Sequence, residues 1–334
     1  VRFACPGAGT LLDPALGSGL FPRLAREIAP GCVVTAYEVD PEVLQAFPPR
    51  GLTLRQQDYL TGPWEERYDA IVCNPPYRRF QGIPGREALR REVETRSGVP
   101  CPKYMNLCTL FLTKSICQLA PGGRLAYVLP TEFLHAAYAR ELRARILREG
   151  LLRAVIRIRQ DRDLFPGAVT TCCILLLDRR PKDGALFVSL ERPEELAGRG
   201  LEDLPGRVLS PEEPAPDRSW MPYFAVSEKT AYENLVSTAQ FFRASRGIAT
   251  GANDYFCLTA SQLAAFRIPR SCVVPCLCRS RDVKGPQFTA GDLADLISRD
   301  KPVFLLAPEG SDAPADYLAR GLALRINQKY LPAH

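Results

Sequence analysis

The sequence predicts an α/β fold: a doubly wound, mainly parallel sheet followed by a second, smaller domain of mixed α+β structure. Strand-like and helix-like segments alternate from the start of the chain, which is the pattern of a parallel sheet with crossover helices. A glycine-rich loop follows the first apolar segment, as in sheets that bind ligands at their carboxyl edge. With 334 residues, 46% of them hydrophobic, the chain is long enough for about two packed domains.

The first half of the sheet is predicted from four apolar segments. TLLDPAL (10–16) predicts the first strand, and FPRLAREIAP (21–30) predicts the helix behind it. Further strands are predicted at 32–40, 52–58 and 68–74, with a short helix at PEVLQAF. Successive strands are separated by helices or long connections, as parallel pairing requires.

The second half of the sheet follows the same alternation. NLCTLFLTKSICQLA (106–120) predicts a helix that ends before a Pro-Gly-Gly turn, after which RLAYVLP predicts a strand. A charged amphipathic helix is predicted at 139–150, a strand at 153–158, and a nearly all-apolar strand at 169–178. The last of these suits the interior of a sheet.

Composition divides the chain into three parts. Residues 1–180 carry the alternating pattern and form the first predicted domain. Residues 181–240 are rich in Pro, Glu and Gly and predict a connecting region. Residues 241–334 combine glycine turns with short strands and form the second predicted domain.

Several classes of protein are excluded by composition. The chain has no run of about 18 apolar residues and no signal-peptide pattern, which predicts a cytoplasmic protein without membrane contact. The twelve cysteines are scattered through apolar stretches, so we expect reduced core thiols. The spacing in CVVPCLC (272–278) does not favour zinc, and no metal site is predicted. Two histidines are too few for most His-based metal sites and disfavour Ser-His-Asp hydrolysis.

Positive charge is concentrated in two segments. Residues 78–103 carry seven Arg/Lys against three Glu, and residues 243–284 carry seven against two Asp. Such patches suit a polyanion, although solvated surface faces explain them equally well.

The loop DPALGSGLF is the first candidate site, because it lies where the first strand turns into its helix. Glycines let the backbone approach a nucleotide-like ligand, and an acid at the strand end can receive an ammonium or hydroxyl group. A dinucleotide-binding loop would have a third glycine, whereas Pro22 follows here, which disfavours NAD. The candidate ligand-binding residues of this loop are Asp13, Pro14, Ala15, Gly17, Gly19 and Phe21.

Acidic residues end the next two strands. Glu38 can accept hydrogen bonds from both ribose hydroxyls of an adenosine, and Asp40 follows it. Asp58 is placed to accept a hydrogen bond from an adenine amino group, although taken alone it is explained equally well as an ordinary strand-end acid. Together the three acids predict a ligand that contains adenosine.

Asn74-Pro75-Pro76-Tyr77 ends the fourth strand, which neighbours the first strand at the switch point of this topology. An aromatic amine is a poor nucleophile because its lone pair is delocalised into the ring, so hydrogen-bond acceptors must draw it toward tetrahedral geometry. The Asn74 side-chain oxygen and the Pro75 carbonyl can each accept one amine hydrogen, while Tyr77 stacks on the base. An isolated motif of this kind is as often a tight turn, but its order behind the glycine loop and the acids favours catalysis.

With these motifs in place, the chain resembles the amino-type, adenine-specific DNA methyltransferases of restriction-modification systems. DPALGSGLF is similar to the family's first motif, YEVD to its second, QQDYL to its third and NPPY to its catalytic fourth; PGGRLAYVLP and FPGAVTTCCILLL follow in the usual order. The resemblance implies a Rossmann-like class I methyltransferase fold, S-adenosylmethionine as cofactor and methyl transfer to a flipped-out adenine. It implies roles in the site for Asp13, Glu38, Asp58 and Asn74, the last also beside the cofactor.

The last third of the chain resembles the target-recognition region of the same group, in SRGIATGANDYFCLT (245–259) and VVPCLCRSRDVKG (273–285). The resemblance implies that both domains bind duplex DNA in a basic cleft. No fused nuclease motif is apparent, so cleavage would need a separate restriction endonuclease subunit or a missing part of the chain. The candidate DNA-binding residues are Arg78, Arg79, Arg246, Thr250, Asn253, Arg279, Arg281 and Lys284.

Two departures from the family and three alternatives stand beside this interpretation. Only nine residues precede Thr10, and the chain ends soon after YLARGLALRINQKYLPAH, so we expect a truncated chain with reduced or absent activity. The catalytic motif is also similar to that of enzymes that methylate RNA or a protein glutamine amide. A DNA-binding subunit on an inactive scaffold is the second alternative. An NAD-dependent oxidoreductase is the third and is disfavoured by Pro22.

Overall fold

A computed structural model describes residues 1–46, 52–77, 85–159, 171–224, 236, 240–243, 247–308 and 314–328. The chain forms two compact units, Val1–Ala231 and Tyr232–His334.

Nine strands of the described residues form the sheet of the first unit. They are β1 (Thr10–Asp13), β2 (Val33–Glu38), β3 (Leu52–Gln56), β4 (Tyr68–Cys73), β5 (Leu119–Pro130), β6 (Leu152–Ile158), β7 (Cys172–Asp178), β8 (Ala185–Leu190) and β9 (Gly206–Leu209). The α-helices described in this unit are α1 (Leu20–Ile28), α2 (Pro41–Ala46), α3 (Arg86–Ser97), α4 (Leu107–Gln118) and α5 (Arg140–Arg148).

The strand order is β3-β2-β1-β4-β5-β7-β6-β8-β9. The strands β1 to β5 pair in parallel, as do β6 and β8, whereas β7 and β9 are antiparallel to their neighbours. The order changes direction between β1 and β4, which is the switch point at which such sheets bind ligands. The predicted doubly wound, mainly parallel α/β fold is confirmed. The antiparallel direction of β7 could not be inferred from its apolar sequence, because a buried strand looks alike in either direction.

Apolar side chains cover both faces of this sheet. On one face Tyr127 and Leu129 of β5 pack in the largest core cluster, together with residues of α3, α4 and α5. On the other face Leu11 of β1 packs in a smaller cluster with Ala25 of α1. Almost every residue of α4 is buried, so this helix is an interior element rather than a surface one.

The first unit extends well beyond the predicted boundary at Arg180. Strand β8 pairs in parallel with β6, and β9 pairs with β8, so the first part of the predicted 181–240 connecting region is wrong: it contains two strands of the main sheet. Trp220, fully buried, then packs its ring 6.0 Å from Phe187 of β8. The Pro- and Glu-rich composition reflects short exposed turns between these strands.

The second unit contains a three-stranded antiparallel sheet with helices around it. Its strands are β10 (Cys257–Leu258), β11 (Val273–Pro275) and β12 (Phe304–Leu306), in the order β10-β12-β11. Its α-helices in the described residues are α6 (Asn253–Phe256), α7 (Ala260–Ala265), α8 (Ala290–Ser298) and α9 (Ala315–Ala323). Phe304, Leu296 and Tyr317 belong to one buried cluster, so the unit has its own core. The mixed α+β class agrees with the sequence interpretation.

All twelve cysteines lie in the described residues, and none of them forms a disulfide bond. Among those residues no group of three or more His, Cys, Asp or Glu side chains is arranged to hold a metal ion. In the part of the chain that the structure describes, we find no helix of the length and apolarity needed to cross a membrane.

We expect Trp220→Ala to destabilise the first unit by about 3–5 kcal/mol, the usual loss for a large buried aromatic side chain. The indole also donates from Nε1 to the Ala215 carbonyl (2.9 Å), which would lose its partner. Urea unfolding of the whole chain measures the effect. As a matched control, Val208→Ala on the exposed side of β9 should change the free energy of unfolding by well under 1 kcal/mol, since Val208 is 66% exposed. A small loss for Trp220→Ala would contradict the corrected boundary.

Candidate active site

The two strongest sequence motifs meet at one edge of the sheet. Leu12 of β1 pairs with Ile71 of β4 in parallel, so Asp13 at the end of β1 lies beside the end of β4. Asn74 is the first residue after β4 and is exposed. The pairing therefore brings the acid of the glycine loop and the start of the Asn-Pro-Pro-Tyr motif to neighbouring strand ends.

Asp13 is a buried acid with one unsatisfied oxygen. Its Oδ1 accepts a hydrogen bond from the Ala15 amide (3.2 Å), whereas Oδ2 is buried and has no hydrogen-bond partner among the described residues. Burial raises the pKa of Asp13 from 3.8 to about 7; the Ala15 amide opposes this shift and the Glu38 carboxylate adds to it. A buried carboxylate oxygen without a partner is costly, and a cationic or hydroxyl-bearing ligand would satisfy it.

The glycine loop has the backbone conformation that its sequence indicates. Gly17 and Gly19 adopt positive φ angles of 48° and 68°, which side chains disfavour, and α1 begins directly after Gly19. A Cβ at Gly17 would meet only the Ala15 carbonyl, at 4.0 Å, so the space outside this turn is open to a ligand. Pro14 is buried beneath the loop, whereas Phe21 packs in the apolar cluster around Leu11.

Glu38 fastens this loop to the end of β2. Its Oε2 accepts from the Gly17 amide (3.0 Å), and its Oε1 accepts from the amides of Val39 (2.8 Å) and Asp40 (3.0 Å). Carboxylate oxygens have further lone pairs, so these bonds leave capacity for ligand hydroxyls. Asp40 instead accepts from the Glu42 amide in the first turn of α2 (2.9 Å), which gives it a local structural role.

Asp58 begins the short turn Tyr59–Thr61, whose Leu60 amide donates to its Oδ1 (2.9 Å). The sequence interpretation missed Lys114 of α4, which holds the other end of this turn. Its Nζ donates to the carbonyls of Tyr59 (2.6 Å) and Gly62 (2.7 Å). Desolvation lowers the pKa of Lys114 to about 8. The available signal was a single lysine in the apolar helix TLFLTKSICQ.

The residues of the Asn-Pro-Pro-Tyr motif differ in exposure. Pro75 is buried, Pro76 and Tyr77 are half-buried, and only Asn74 is exposed. The Pro76 carbonyl accepts a hydrogen bond from the Cys108 thiol of α4 (3.3 Å), and Tyr77 packs against the main core. Burial raises the pKa of the Tyr77 hydroxyl, which therefore stays protonated. The turn is thus held from below while Asn74 faces outward.

The predicted DNA-binding residues have different outcomes. Arg78, Arg79 and Arg246 lie outside the described residues. Thr250 and Asn253 hydrogen-bond to each other, Oγ1 to Oδ1 at 2.5 Å, at the start of α6. The other three, all on the surface of the second unit between β11 and α8, are Arg279, Arg281 and Lys284.

The first basic segment, residues 78–103, is largely neutralised where it is described. In α3, Arg90 pairs with Glu87 and Glu94, both at 2.8 Å, and Arg96 pairs with Glu92 at 3.1 Å. These i,i+3 and i,i+4 pairs make α3 a mixed-charge surface. The number of arginines alone therefore overestimates how strongly this segment attracts a polyanion.

The strand order of the first unit and the succession of its motifs fit the class I methyltransferase fold that the sequence predicts. The family model of the Eco57I restriction-modification methylase matches residues 43–165, and that of the C-terminal domain of type II methyltransferase M.Eco57I matches residues 223–331. These matches confirm the resemblance to restriction-modification methyltransferases, in the first unit and in the second.

Individual relatives of the chain are also methyltransferases. Type II methyltransferase M.AccI from Acinetobacter calcoaceticus is 30% identical over 97% of this chain and 63% of its own length. M.HincII from Haemophilus influenzae is 24% identical over 58% of this chain and 38% of its length. A tRNA1(Val) (adenine(37)-N6)-methyltransferase from Aliivibrio fischeri is 27% identical over 36% of this chain and 51% of its length. The chain therefore spans less than two thirds of the curated relatives that it matches.

Two solved structures share the fold over most of the chain. The structure of the DrdV–DNA complex has a TM-score of 0.55 and 15% identity, covering 90% of this chain and 40% of that one. The type IIG restriction endonuclease BpuSI has a TM-score of 0.53 and 14% identity, covering 96% and 43%. At these identities the likeness concerns the fold alone.

Deprotonation of Asp13 should lower the free energy of unfolding by up to about 4 kcal/mol as the pH rises from about 4 to about 7. In this window the folded state keeps a proton on Asp13 that the unfolded chain releases, since folding raises its pKa from 3.8 to about 7. Urea unfolding of wild type and Asp13→Asn at about pH 5 and pH 8 measures the difference. The variant should lack roughly 2–3 kcal/mol of the wild-type dependence. The exposed Asp217→Asn serves as control, and equal pH profiles for all three proteins would refute the assignment.

Proposed function

We propose that this protein transfers a methyl group from S-adenosylmethionine to the exocyclic amine of a flipped-out adenine in duplex DNA. The observation that carries the proposal is the meeting of Asp13 and Asn74 at adjacent strand ends. It places a group that can bind a cation beside a group that can hold an amine. The relationship to restriction-modification methyltransferases supports it.

The chain offers a coherent set of groups for this cofactor. The unsatisfied Asp13 Oδ2 suits the cofactor's ammonium group, and Glu38, fixed by three backbone amides, suits its ribose hydroxyls. Asp58 suits the adenine amino group, since only its Oδ1 bonds the turn behind it. When bound, S-adenosylmethionine supplies an activated methyl group. Pro14, Ala15, Gly17, Gly19 and Asp40 shape the loops around these acids.

The acceptor amine is activated by hydrogen-bond acceptors without a covalent intermediate. The Asn74 side-chain oxygen and the Pro75 carbonyl each accept one amine hydrogen, which concentrates the nitrogen lone pair toward the methyl donor. Tyr77 stacks on the extruded base. Extrusion of the base from the duplex costs a few kcal/mol. Pro76 is fixed through Cys108, so the acceptors do not have to be ordered during the reaction.

The second unit is proposed to position duplex DNA. Arg279, Arg281 and Lys284 are exposed and suit phosphate contacts, whereas the mutual hydrogen bond of Thr250 and Asn253 favours a structural role for that pair. In a restriction-modification setting the protein would act in the cytoplasm alongside a separate endonuclease subunit.

Methylation of adenine in RNA is the second candidate, favoured by the similarity to a tRNA adenine methyltransferase. That similarity covers only 36% of the chain. The second unit, matched instead by the C-terminal domain of a type II methyltransferase, favours DNA.

Transfer of radiolabelled methyl groups from S-adenosylmethionine to mixed-sequence duplex DNA, to transfer RNA and to protein decides among the substrates. We expect label in DNA, recovered as methyladenine after digestion to nucleosides. Label in RNA alone would favour the second candidate. Cofactor binding without any transfer would contradict the proposal for this chain.

Replacing Asn74 by Ala should lower the rate of transfer by on the order of 100-fold or more, as for the loss of one preorganised hydrogen-bonding group. Cofactor affinity should hardly change, because Asn74 is exposed beyond β4 and lies outside the glycine loop. Single-turnover rates and calorimetric titration measure the two quantities. The control is Asn327→Ala, an exposed asparagine of the second unit. Equal rates for the two variants would remove Asn74 from the mechanism.

Cofactor affinity should fall by up to tenfold for each pH unit below about 7, because a protonated Asp13 cannot pair with an ammonium group. Calorimetric titrations in two buffers of different ionisation enthalpy should show proton release on binding near pH 6. Asp13→Asn should bind weakly at every pH and release no proton. A pH-independent wild-type affinity would show that Asp13 does not contact the cofactor's cation.

A further inference from the structure

Arg157 of β6 places a positive charge at the same edge of the sheet as Asn74. The register runs from Cys73 of β4 to Tyr127 of β5, then to Leu175 of β7 and Val155 of β6. Strand β6 runs in the same direction as β4, and Arg157 is two residues closer than Val155 to its carboxyl end. Arg157 therefore lies level with the turn Asn74–Tyr77, which follows β4.

The side chain of Arg157 is on the face of the sheet that Tyr77 covers. Paired residues of neighbouring strands point to the same face, and Arg157 pairs with Cys173, which pairs with Leu129. Cys173 and Leu129 belong to the core cluster against which Tyr77 packs. Three strand spacings separate β4 from β6, or roughly 14 Å.

The guanidinium of Arg157 is incompletely satisfied. Arg157 is half-buried, and its Nε is buried with no hydrogen-bond partner among the described residues. Its strand partners, Cys173 and Ser189, are neutral. Arg159, two residues further, pairs with Glu191 at 2.7 Å. A buried donor on a charged group is expensive to leave unpaired, which indicates an anionic partner.

A second unsatisfied donor lies at this edge. Thr131, directly after β5, is 5% exposed, and its Oγ1 has no hydrogen-bond partner among the described residues. Both groups can donate hydrogen bonds, and a phosphate offers only acceptors.

The strand order separates this edge into two regions. Asp13 and Glu38 are the last residues of β1 and β2, and Asp58 follows β3; all three lie on one side of β4. Arg157 lies on the other side, beyond β5 and β7. A ligand that reaches both Asn74 and Arg157 therefore extends away from the proposed cofactor position.

We infer that Arg157 binds a backbone phosphate next to the nucleotide whose base is held at Asn74. The inference rests on the proposed function, since it takes a nucleotide as the acceptor. An extruded nucleotide extends from its amine through base and sugar to its phosphates, in the direction of β6. The planar guanidinium fork matches a phosphate, and this contact would stabilise the extruded nucleotide rather than the paired duplex.

Equilibrium binding to short duplexes at several salt concentrations tests the inference. One duplex carries an unpaired adenine at its centre, which lowers the cost of extrusion, and the other is fully paired. Arg157→Gln should weaken binding to the first by roughly ten- to a hundredfold, and less to the second. Its slope of log affinity against log salt should be shallower by about 0.9, the value for one lost phosphate contact.

Two further variants separate phosphate binding from a structural effect. Arg157→Lys keeps the charge and should keep the wild-type slope. Arg153→Gln, on the same strand but lining a cavity with Ala126 and Leu176, should behave as wild type. An unchanged slope and affinity for Arg157→Gln would overturn the inference, as would equal losses on both duplexes.

Methyl transfer by the wild-type chain distinguishes the two proposals. Transfer to DNA with no change for Arg157→Gln would leave the function standing without the phosphate contact. A lost contact on the unpaired-adenine duplex, without methyl transfer by any protein, would support the contact and contradict the activity. Failure to bind DNA at all would overturn both.

Discussion

The parallel pairing of β1 with β4 is the constraint on which the candidate site depends. These strands are far apart in the chain, yet the register of Leu12 with Ile71 fixes where both end. Asp13 and Asn74 are then adjacent because the carboxyl ends of parallel strands share one edge. The remaining groups are positioned relative to that pair: Glu38 holds the loop after β1, and α4 supports the turn after β4.

Hydrogen bonds to a strand-end carboxylate and from a buried lysine hold the loops of the site. Glu38 accepts from three amides, and Lys114 donates to the carbonyls of the turn after Asp58. Such bonds order the backbone before a ligand arrives, which lowers the entropic cost of binding. They also explain a fully buried lysine, since desolvation is offset by several carbonyl acceptors and by the ring of Tyr59, 4.7 Å away.

Much of the first unit could be predicted because apolar residues recur with different spacings in its strands and in its helices. The predicted strand at 153–158 is β6, and the predicted helix at 106–120 is α4, each within two residues. Strands β8 and β9 were missed because prolines and acids in the turns dominate the local composition, while pairing to the rest of the sheet stabilises the short strands.

The sequence predicts the residues of the site only where their place at a strand end also fixes their position in the fold. Strand ends locate Asp13, Glu38 and Asn74, but no local pattern shows that Asp40 bonds the first turn of α2. Nor does a count of charges show that the arginines of α3 are paired along the helix. Arg157 resembles any arginine of an amphipathic strand until the register places it level with the turn Asn74–Tyr77.

The antiparallel β7 has a consequence for divergence among related chains. Because β7 runs back between β5 and β6, the connection from Ile158 to Cys172 leaves and returns at the edge that carries Asn74. Both of its ends are fastened: the Arg159 amide donates to Leu190 (2.9 Å), and the Thr131 amide donates to Thr171 (3.0 Å). Insertions or substitutions between these anchors would leave the strand pairings on either side in place. Related chains can therefore differ in the length and sequence of this connection without rebuilding the sheet.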